Sequence, residues 1–464
     1  MLFFAEIVML FVDDKKGERF TMELLQITTM KQAQDYLYET PKFTVKSTPE
    51  MTKRFYEYLG KPGAEKKIIH VAGTNGKGSV CTYLRNILTA HGKRTAMFTS
   101  PHLLTMRERF IVDGLMISED DFLEVFQKVA KALEGIRTQK EMEAYHPSFF
   151  EYLFFMAMLW FEKKKAECII LETGLGGRLD ATNVVENPAL CIITKIGFDH
   201  MQYLGNTLEE IASEKAGIIK KNVPLIFNDF DKNITSILQK KAKSMNCETY
   251  SVGTAQIKNV KNHEKYIDFS FDCSYYKNVC LSELQIKIPT VAIYQMINAS
   301  QAILASAVFL QEDWMAFKAC NALATTTWPG RMEELKPNLF VDGAHNEDGI
   351  EAFIETLKAN QIENAILIFG VSADKDYEKM QKRLATELVW NQIIVVALQN
   401  ERTAQTKQLR QQFERYTDVS VTEAGNVKDV LLSLYRNRND KKIFVVGSLY
   451  LVGEVKELFV EDLL

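Results

Sequence analysis

Short apolar runs separated by amphipathic stretches recur along most of the chain. Residues 68–72 (IIHVA), 167–171, 190–194 and 223–227 are rich in Ile, Leu, Val and Cys, and 95–99 (TAMFT) carries Ala, Met and Phe. Each is too short for a helix and suits a buried strand. The stretches between them carry the three-to-four spacing of helices, so strand and helix alternate, as in a parallel sheet with crossover helices. Residues 147–163 (PSFFEYLFFMAMLWFEK) are apolar all round and predict a helix buried on nearly every side, its aromatics core residues except at its start. Residues 23–65 predict polar helical segments around a loop at 41–49. At 254–289 the pattern changes to strict alternation (Tyr266-Ile267-Asp268-Phe269-Ser270-Phe271), which predicts antiparallel strands attached to the edge of the first domain. A long amphipathic helix follows at 294–310. The run 325–331 (TTTWPGR) breaks the pattern with Pro-Gly, and a second α/β series follows, with strands at 339–342, 365–369, 392–397, 419–422 and 442–446.

The stretch 66–80, KKIIHVAGTNGKGSV, joins the first strand to a helix at 79–90 through a glycine-rich turn. Strand, glycine loop and helix form the geometry that cradles phosphates. Glycines let the backbone approach, loop N–H groups and the helix N-terminus face the anion, and a lysine neutralises it. Gly73, Thr74, Asn75, Gly76, Lys77, Gly78 and Ser79 are therefore candidate nucleotide contacts, with Lys77 on the β- and γ-phosphates and the Ser79 hydroxyl on Mg²⁺. The spacing departs from G-x-x-x-x-G-K-[ST]: the first interval is shorter, and Gly78 separates the lysine from the serine.

The fold class expected is thus α/β. A P-loop nucleotide-binding domain over 22–325 has a mostly parallel sheet and a small antiparallel subsheet. A smaller C-terminal Rossmann-like α/β domain covers 326–464. Residues 1–12 (MLFFAEIVMLFV) are apolar but lack a basic leader and a cleavage site, and are too short to span a bilayer. Residues 1–21 read either as an extension ahead of a start at Met22 or as a helix packed on the surface.

Composition narrows the classes. At 464 residues the chain exceeds one ordinary core, and 47% apolar with 25% charged residues is a soluble globular balance. A net charge of −4 and the lack of a long basic run give no case for nucleic acid or a membrane surface. The seven cysteines are scattered, with no C-x-x-C pair, which fits a reducing cytoplasm and does not fit a zinc site.

Further chemistry falls at predicted strand ends. Glu172 closes the 167–171 strand where a nucleotide-binding sheet places an acid near Mg²⁺, and Gly174-Leu175-Gly176-Gly177 lacks the third glycine of a dinucleotide fingerprint. Asp199-His200 follows the next strand, with a metal or phosphate role for the histidine. Lys215 lies among small and apolar residues, where a lysine needs a partner or a lowered pKa, although spacing alone would leave it on a solvated helix. Asp342-Gly343-Ala344-His345-Asn346 puts polar groups at a strand end of the second series. Arg331 is placed either to reach a phosphate across the cleft or to make an interdomain salt bridge.

Taken in order, GTNGKGS (73–79), TSPHL (99–103), ETGLGGRLDATN (172–183), EKAG (214–217), DGAHN (342–346) and GSLY (447–450) resemble the folylpolyglutamate synthase/dihydrofolate synthase family of the Mur-type ligase superfamily, from about Met22 onward. The resemblance implies ATP-dependent ligation of L-glutamate to dihydropteroate, forming dihydrofolate, and to tetrahydrofolate polyglutamates through an acyl phosphate. It implies two Mg²⁺ ions, with Ser79, Ser100 and Glu172 on the first and Glu172 and His200 on the second, a carbamylated Lys215, and room for a monovalent cation. Asn298, Arg331 and Asp342 match nucleotide contacts. His345 and Ser448 match the place where glutamate and acyl phosphate meet. The pterin pocket would draw on Ser148, Phe149, Phe150, Glu151, Leu179, Asp180 and Ala181, and no residue carries over from the loosely matching 42–48. A cytoplasmic monomer is the family default. The alternatives are a polyglutamylase without the dihydropteroate activity, a Mur-type cell-wall amino acid ligase, and a nucleotide-binding module with no ligase activity. Against the cell-wall ligase, no extra N-terminal domain for a UDP-sugar is apparent and Gly78 stands where those enzymes carry threonine. Against the binding module stand the second α/β domain and the pairing of Glu172 with His200.

Overall fold

The computed structural model describes residues 24–41, 48–273, 281–400, 402–436 and 440–461. The expectations for residues 1–21, for Met22 and for most of the 41–49 loop lie outside the described residues. Three sheets organise the rest. The first has eight strands in the order β4-β3-β2-β5-β1-β6-β7-β8. They are β1 (Lys67–Ala72), β2 (Thr95–Phe98), β3 (Phe110–Val112), β4 (Leu115–Met116), β5 (Cys168–Glu172), β6 (Leu190–Ile193), β7 (Leu225–Asn228) and β8 (Thr249–Val252). β2, β5, β1, β6, β7 and β8 run parallel, and β3 and β4 close one edge antiparallel.

Both faces of this sheet are covered, which is why its strands read as unbroken apolar runs. Phe98, Phe110, Ile169 and Leu171 face one side with helices α4 (Glu119–Arg137) and α5 (Phe149–Lys163). Helices α1 (Met30–Glu39) and α2 (Pro49–Tyr58) close over that layer. Met97, Ile111, Ile170 and Ile192 face the other side with α3 (Lys77–Ala90) and α7 (Gln295–Leu310). α5 starts where Ser148 and Glu151 form a reciprocal capping box. It then buries Phe154, Phe155 and Phe161 completely, each worth about 2 kcal/mol of transfer free energy.

The mixed α/β architecture with a parallel sheet and a small antiparallel one is present, with two differences of detail. The antiparallel strands β9 (Ile257–Asn262), β10 (Ile267–Cys273) and β11 (Leu281–Ile288) form their own three-stranded sheet, rather than joining the edge of the first. Ile267, Phe269 and Phe271 alternate inward onto the α7 side of the core, so face packing, not edge pairing, holds this sheet in place. α3 begins at Lys77, not residue 79, because Gly76 takes the left-handed N-cap conformation and the lysine is already helical.

The third sheet has the order β12-β13-β17-β14-β15-β16. Its strands are β12 (Glu333–Lys336), β13 (Leu339–Asp342), β14 (Ala365–Phe369), β15 (Trp390–Val396), β16 (Val421–Ala424) and β17 (Ile443–Val446). All but β12 are parallel. The loops that leave β1, β2, β5 and β6 face those that leave β13, β14 and β17, the crevice position where open α/β sheets bind ligands. Among the described residues no helix is long and apolar enough to cross a membrane.

Candidate active site

The phosphate-type loop is held from below by the loop after β6. Lys195 O accepts from Thr74 N at 2.8 Å and from Asn75 N at 3.2 Å. A Cβ on Gly73 would lie 1.8 Å from Thr194 Oγ1, and one on Gly76, where φ is +89°, 2.4 Å from Asn298 Oδ1. Both positions therefore demand glycine. Lys77 Nζ folds back to donate to Gly73 O and Thr74 O at 3.0 and 3.1 Å. Gln295 Nε2 donates to Ser79 Oγ at 3.1 Å, and Asn298 Nδ2 donates to Gln295 Oε1 at 2.9 Å. Gln295, absent from the sequence reading, is thus the link between α7 and the loop.

Glu172 ends β5 with its side chain buried, and Ser100 N donates to its Oε2 at 3.0 Å. Burial pushes this carboxyl up, against the pull of Lys77, the Ser100 N–H, Arg331 and Arg109. His200 follows Asp199 after β6 in a left-handed conformation. Burial brings its imidazole down to about 4 against the opposing charge of Asp199. Helix α6 (Leu208–Lys215) delivers Lys215, 3% exposed, with Nζ donating to Gly73 O at 2.8 Å. Burial first and Lys77 second bring its ammonium down to about 7.

From the third sheet, Asp342 Oδ2 accepts from Tyr294 OH at 2.7 Å and Met332 N at 2.8 Å, and its Oδ1 accepts from Ala344 N at 2.8 Å. Burial raises its carboxyl against Arg331 and these donors. His345 Nδ1 donates to Gly343 O at 2.7 Å, which leaves Nε2 3.6 Å from Asp199 Oδ2. Asn346 caps helix α8 (Glu347–Ala359), and its Nδ2 reaches Asp199 Oδ2 at 3.1 Å. Ser448 caps helix α9 (Leu449–Val460), accepting from Tyr450 N at 3.1 Å.

A cavity of about 550 Å³ runs between the two sheets, and Lys77, Glu172, His200, Lys215, Arg331 and His345 all line it. A second, of about 390 Å³, opens on the other side of Asn75 and Gly76. It is lined by Asn298, Tyr294, Asp342, Ile257 and Ala352, an apolar slot with a few polar groups, the size of a nucleoside. Ser79, Arg331 and His345 border both.

Other candidates lie off these cavities. The Ser148 and Glu151 side chains are spent on each other's backbone N–H, and Thr52 Oγ1 donates to Glu151 Oε1. Phe150 packs where a Cβ on Gly174 would be. Asp180 accepts from Leu175 N at 2.8 Å and Thr182 N at 3.0 Å, Ala181 opens the short helical turn after it, and Leu179 is exposed. Beside Phe149 sits a cluster that the sequence did not flag. Arg109 Nε donates to His102 Nδ1 at 2.8 Å, so the imidazole proton is on Nε2, 3.1 Å from Tyr38 OH. The Arg109 guanidinium lies 5.4 Å from the Phe149 ring, and Tyr38 stacks on that ring at 6.2 Å. Two α-helices, a short 3₁₀ turn and the loop after β2 contribute here, so no local spacing could reveal it.

Among the described residues no three His, Cys, Asp or Glu side chains gather to enclose a metal ion by themselves. The oxygens of Glu172, Ser79 and Ser100 at the cavity wall suit a hard cation that completes its shell with phosphate and water. The carboxylate of Glu172, buried and pushed up, is the anion such a cation would relieve.

Two family descriptions match the chain: the Mur ligase middle domain over residues 123–306 and the Mur ligase glutamate ligase domain over 330–449. The dihydrofolate synthase/folylpolyglutamate synthase of Bacillus subtilis (strain 168) is 33% identical, across 93% of this chain and 99% of its own. The crystal structure of a folylpolyglutamate synthase from Thermotoga maritima is 30% identical, with a TM-score of 0.78, covering 93% of this chain and 97% of that one. A Mycobacterium tuberculosis folylpolyglutamate synthase complexed with ADP and AMPPCP is 26% identical, with a TM-score of 0.81, covering 93% and 98%.

Proposed function

Since this chain belongs to the folylpolyglutamate synthase/dihydrofolate synthase family of Mur-type ligases, and is therefore an ATP-dependent acid–amino-acid ligase, we propose that it adds L-glutamate both to dihydropteroate and to tetrahydrofolate polyglutamates. The observation that carries this reading is the single cavity to which the first sheet brings Lys77, Glu172, His200 and Lys215 and the third brings Arg331 and His345.

In this reading the nucleoside of ATP lies in the slot by Asn298 and Asp342, with its phosphates over residues 73–79. Lys77 leaves the Gly73 and Thr74 carbonyls for the phosphate oxygens, and Arg331 meets them from the opposite wall. An acceptor carboxylate oxygen attacks the γ-phosphorus, the bond to the β-phosphate oxygen breaks, and ADP leaves an acyl phosphate. Such transfer needs positioning and charge neutralisation more than covalent help. Ser79, Ser100, Glu172 and His200 would hold Mg²⁺, which when bound offsets phosphate charge. The glutamate amine then attacks the acyl carbon, phosphate departs, and the amine proton passes to a base. His345 Nε2 takes that role in this reading, which its Nδ1–H bond to Gly343 O supports by leaving Nε2 free to accept. Ser448, at the start of α9, orients the incoming amino acid.

Lys215 supports the same site as a carbamate. Its neutral amine attacks carbon dioxide, an N–C bond forms and one proton leaves, turning a buried cation into an anion. A lysine brought down to about 7 by burial has the neutral amine that this step requires.

The test is ADP release by the purified protein with ATP, Mg²⁺ and glutamate, comparing dihydropteroate with tetrahydrofolate. Turnover of both is expected. Turnover of tetrahydrofolate alone would make it a dedicated polyglutamylase, and silence with both would redirect the search to nucleotide-linked cell-wall precursors.

A further inference from the structure

Beyond the reacting groups, the larger cavity continues into an arm along α3. Gly78, Thr82 and Arg85 line it, three or four residues apart and hence on one side of the helix. The opposite wall is a row across three strands. Met97 is in register with Ile111, and Ile111 with Met116, so all three side chains share the face toward α3. Trp328 lies over the start of the arm, its ring 3.0 Å from where a Cβ on Gly78 would be. Met116 is left 47% exposed at the sheet edge, so the row ends in an uncovered apolar surface.

Charge in this arm is uneven. Lys456 is matched by Glu333 at 2.7 and 2.9 Å. The Glu108 carboxylate is spent on Leu103 N, Leu104 N and Thr105 N, each at 2.8 Å. Arg85 has no such match. Nε and Nη2 both donate to the neutral amide oxygen of Asn86, at 3.0 and 2.8 Å, and among the described residues no carboxylate lies within salt-bridge distance of it. Burial alone moves its guanidinium, downward. A cation in an apolar arm with no anion of its own suits an anionic ligand. Ser79 and Arg85 are six residues apart on one helix, about 9 Å along its axis. A γ-linked glutamyl unit, two bonds longer than an ordinary backbone repeat, is about 6 Å long, so two units span that distance.

We propose that this arm is the seat of the acceptor's glutamyl tail, with Arg85 taking the α-carboxylate of a residue already attached while Met97, Ile111, Met116 and Trp328 cover the methylenes between. The inference rests on the folate-ligase reading and deepens it. Dihydropteroate has one carboxylate, the reacting one, so Arg85 has nothing to grip on it. A glutamylated acceptor carries a free α-carboxylate on every unit. Arg85 is then a specificity residue that separates the two acceptors.

The experiment compares kcat/KM of the wild type, Arg85→Ala and Arg85→Lys for tetrahydrofolate diglutamate and for dihydropteroate. Loss of one charge-assisted bond should lower Arg85→Ala about 10- to 100-fold on the diglutamate relative to dihydropteroate, mainly through KM, with Arg85→Lys recovering part of it. Equal loss on both acceptors, or a lowered Tm that accounts for the loss, would overturn the proposal, because Arg85 would then only be steadying Asn86, which holds Thr326 Oγ1 at 2.7 Å. In parallel, p-aminobenzoyl-γ-triglutamate is titrated calorimetrically into wild type and Arg85→Ala without ATP. Binding weakened by the substitution upholds the arm even if neither acceptor turns over, and equal binding or none in the wild type overturns it.

Discussion

Asp199 and Lys375, 176 positions apart, meet across the cleft at 2.6 Å. The same carboxylate receives Asn346 Nδ2 and lies 3.6 Å from His345 Nε2. Burial opposes its ionisation, yet His345, Lys375 and His200 hold it well below the usual carboxylate range. Asp199 thus ties the loop after β6 to the loops after β13 and β14. Side-chain exposures of 15% and 11% make the pair far less screened than a surface ion pair. Lys375→Ala strands a buried carboxylate, and stability should fall by on the order of 3 kcal/mol. Thermal denaturation followed by fluorescence checks this, and an unchanged Tm would mean that the pair contributes nothing net.

Lys77→Ala and Glu172→Ala should each lower glutamate-dependent ADP release by at least about 10²-fold, with unchanged circular dichroism. Near-normal turnover in either folded variant would remove that residue from the site.

Lys215 makes two predictions, one for the free amine and one for the carbamate. As the free amine its folded-state pKa of about 7 lies below the ordinary lysine value of 10.5, so between those limits the unfolded chain binds more protons. Stability from this group therefore rises as pH climbs from about 7 to about 10.5, and Lys215→Met should flatten that rise in urea titrations. Protein stripped of carbon dioxide should also lose activity and regain it with bicarbonate, along with a mass gain on the peptide that contains Lys215.

His70, wholly buried on β1, is pushed down to about 3 by burial, with Lys220 adding to the effect. Its Nε2 donates to Thr182 Oγ1 at 2.7 Å. Below about pH 6.5 the unfolded chain takes up a proton that the folded chain refuses. Stability should then fall by about 1.4 kcal/mol per pH unit from this residue, down to about pH 3. His70→Gln should remove that slope.

Gly177→Ala should destabilise by about 1–3 kcal/mol. The added Cβ would sit 2.8 Å from Lys215 O and 2.9 Å from Glu214 O, both backbone atoms that cannot swing aside. It would also shift Lys215, so activity should drop more than stability alone explains. A variant with wild-type Tm and kcat would contradict the packing.

What the sequence revealed, and what it hid, follows from range. The turn from β1 into α3 is legible because strand, glycines and helix are contiguous, and the buried parallel strands are legible because both of their faces are apolar. β4 and β12 are short edge strands, and Leu115 and Met116 are both exposed, so no apolar run marked them, while β3 is buried but only three residues long. The β9–β11 sheet showed its period, but alternation says which face is buried, not what covers it. Glu172 and His200 could be singled out at strand ends. Asp199 with Lys375, Ser79 with Gln295, and His102 with Tyr38 are pairings between distant segments of chain, and single-chain spacing carries no trace of them.

The contacts that span the cleft also bear on how such ligases can be recombined. Asn75 faces Asn346 at 3.3 Å, Phe198 N donates to Asp348 at 3.1 Å, and Lys195 reaches Asp348 at 3.5 Å. A chimera that exchanges everything after the Trp328-Pro329-Gly330 turn with that of a homologue keeps most of each hydrophobic core, Val291 and Ala292 being the buried exceptions, yet mates two rims whose polar partners were chosen separately. Compatibility between halves should therefore follow a small set of facing positions (75, 195, 198 and 199 against 346, 348 and 375) more closely than overall identity. A mismatched hybrid would be soluble and idle until those positions were restored together.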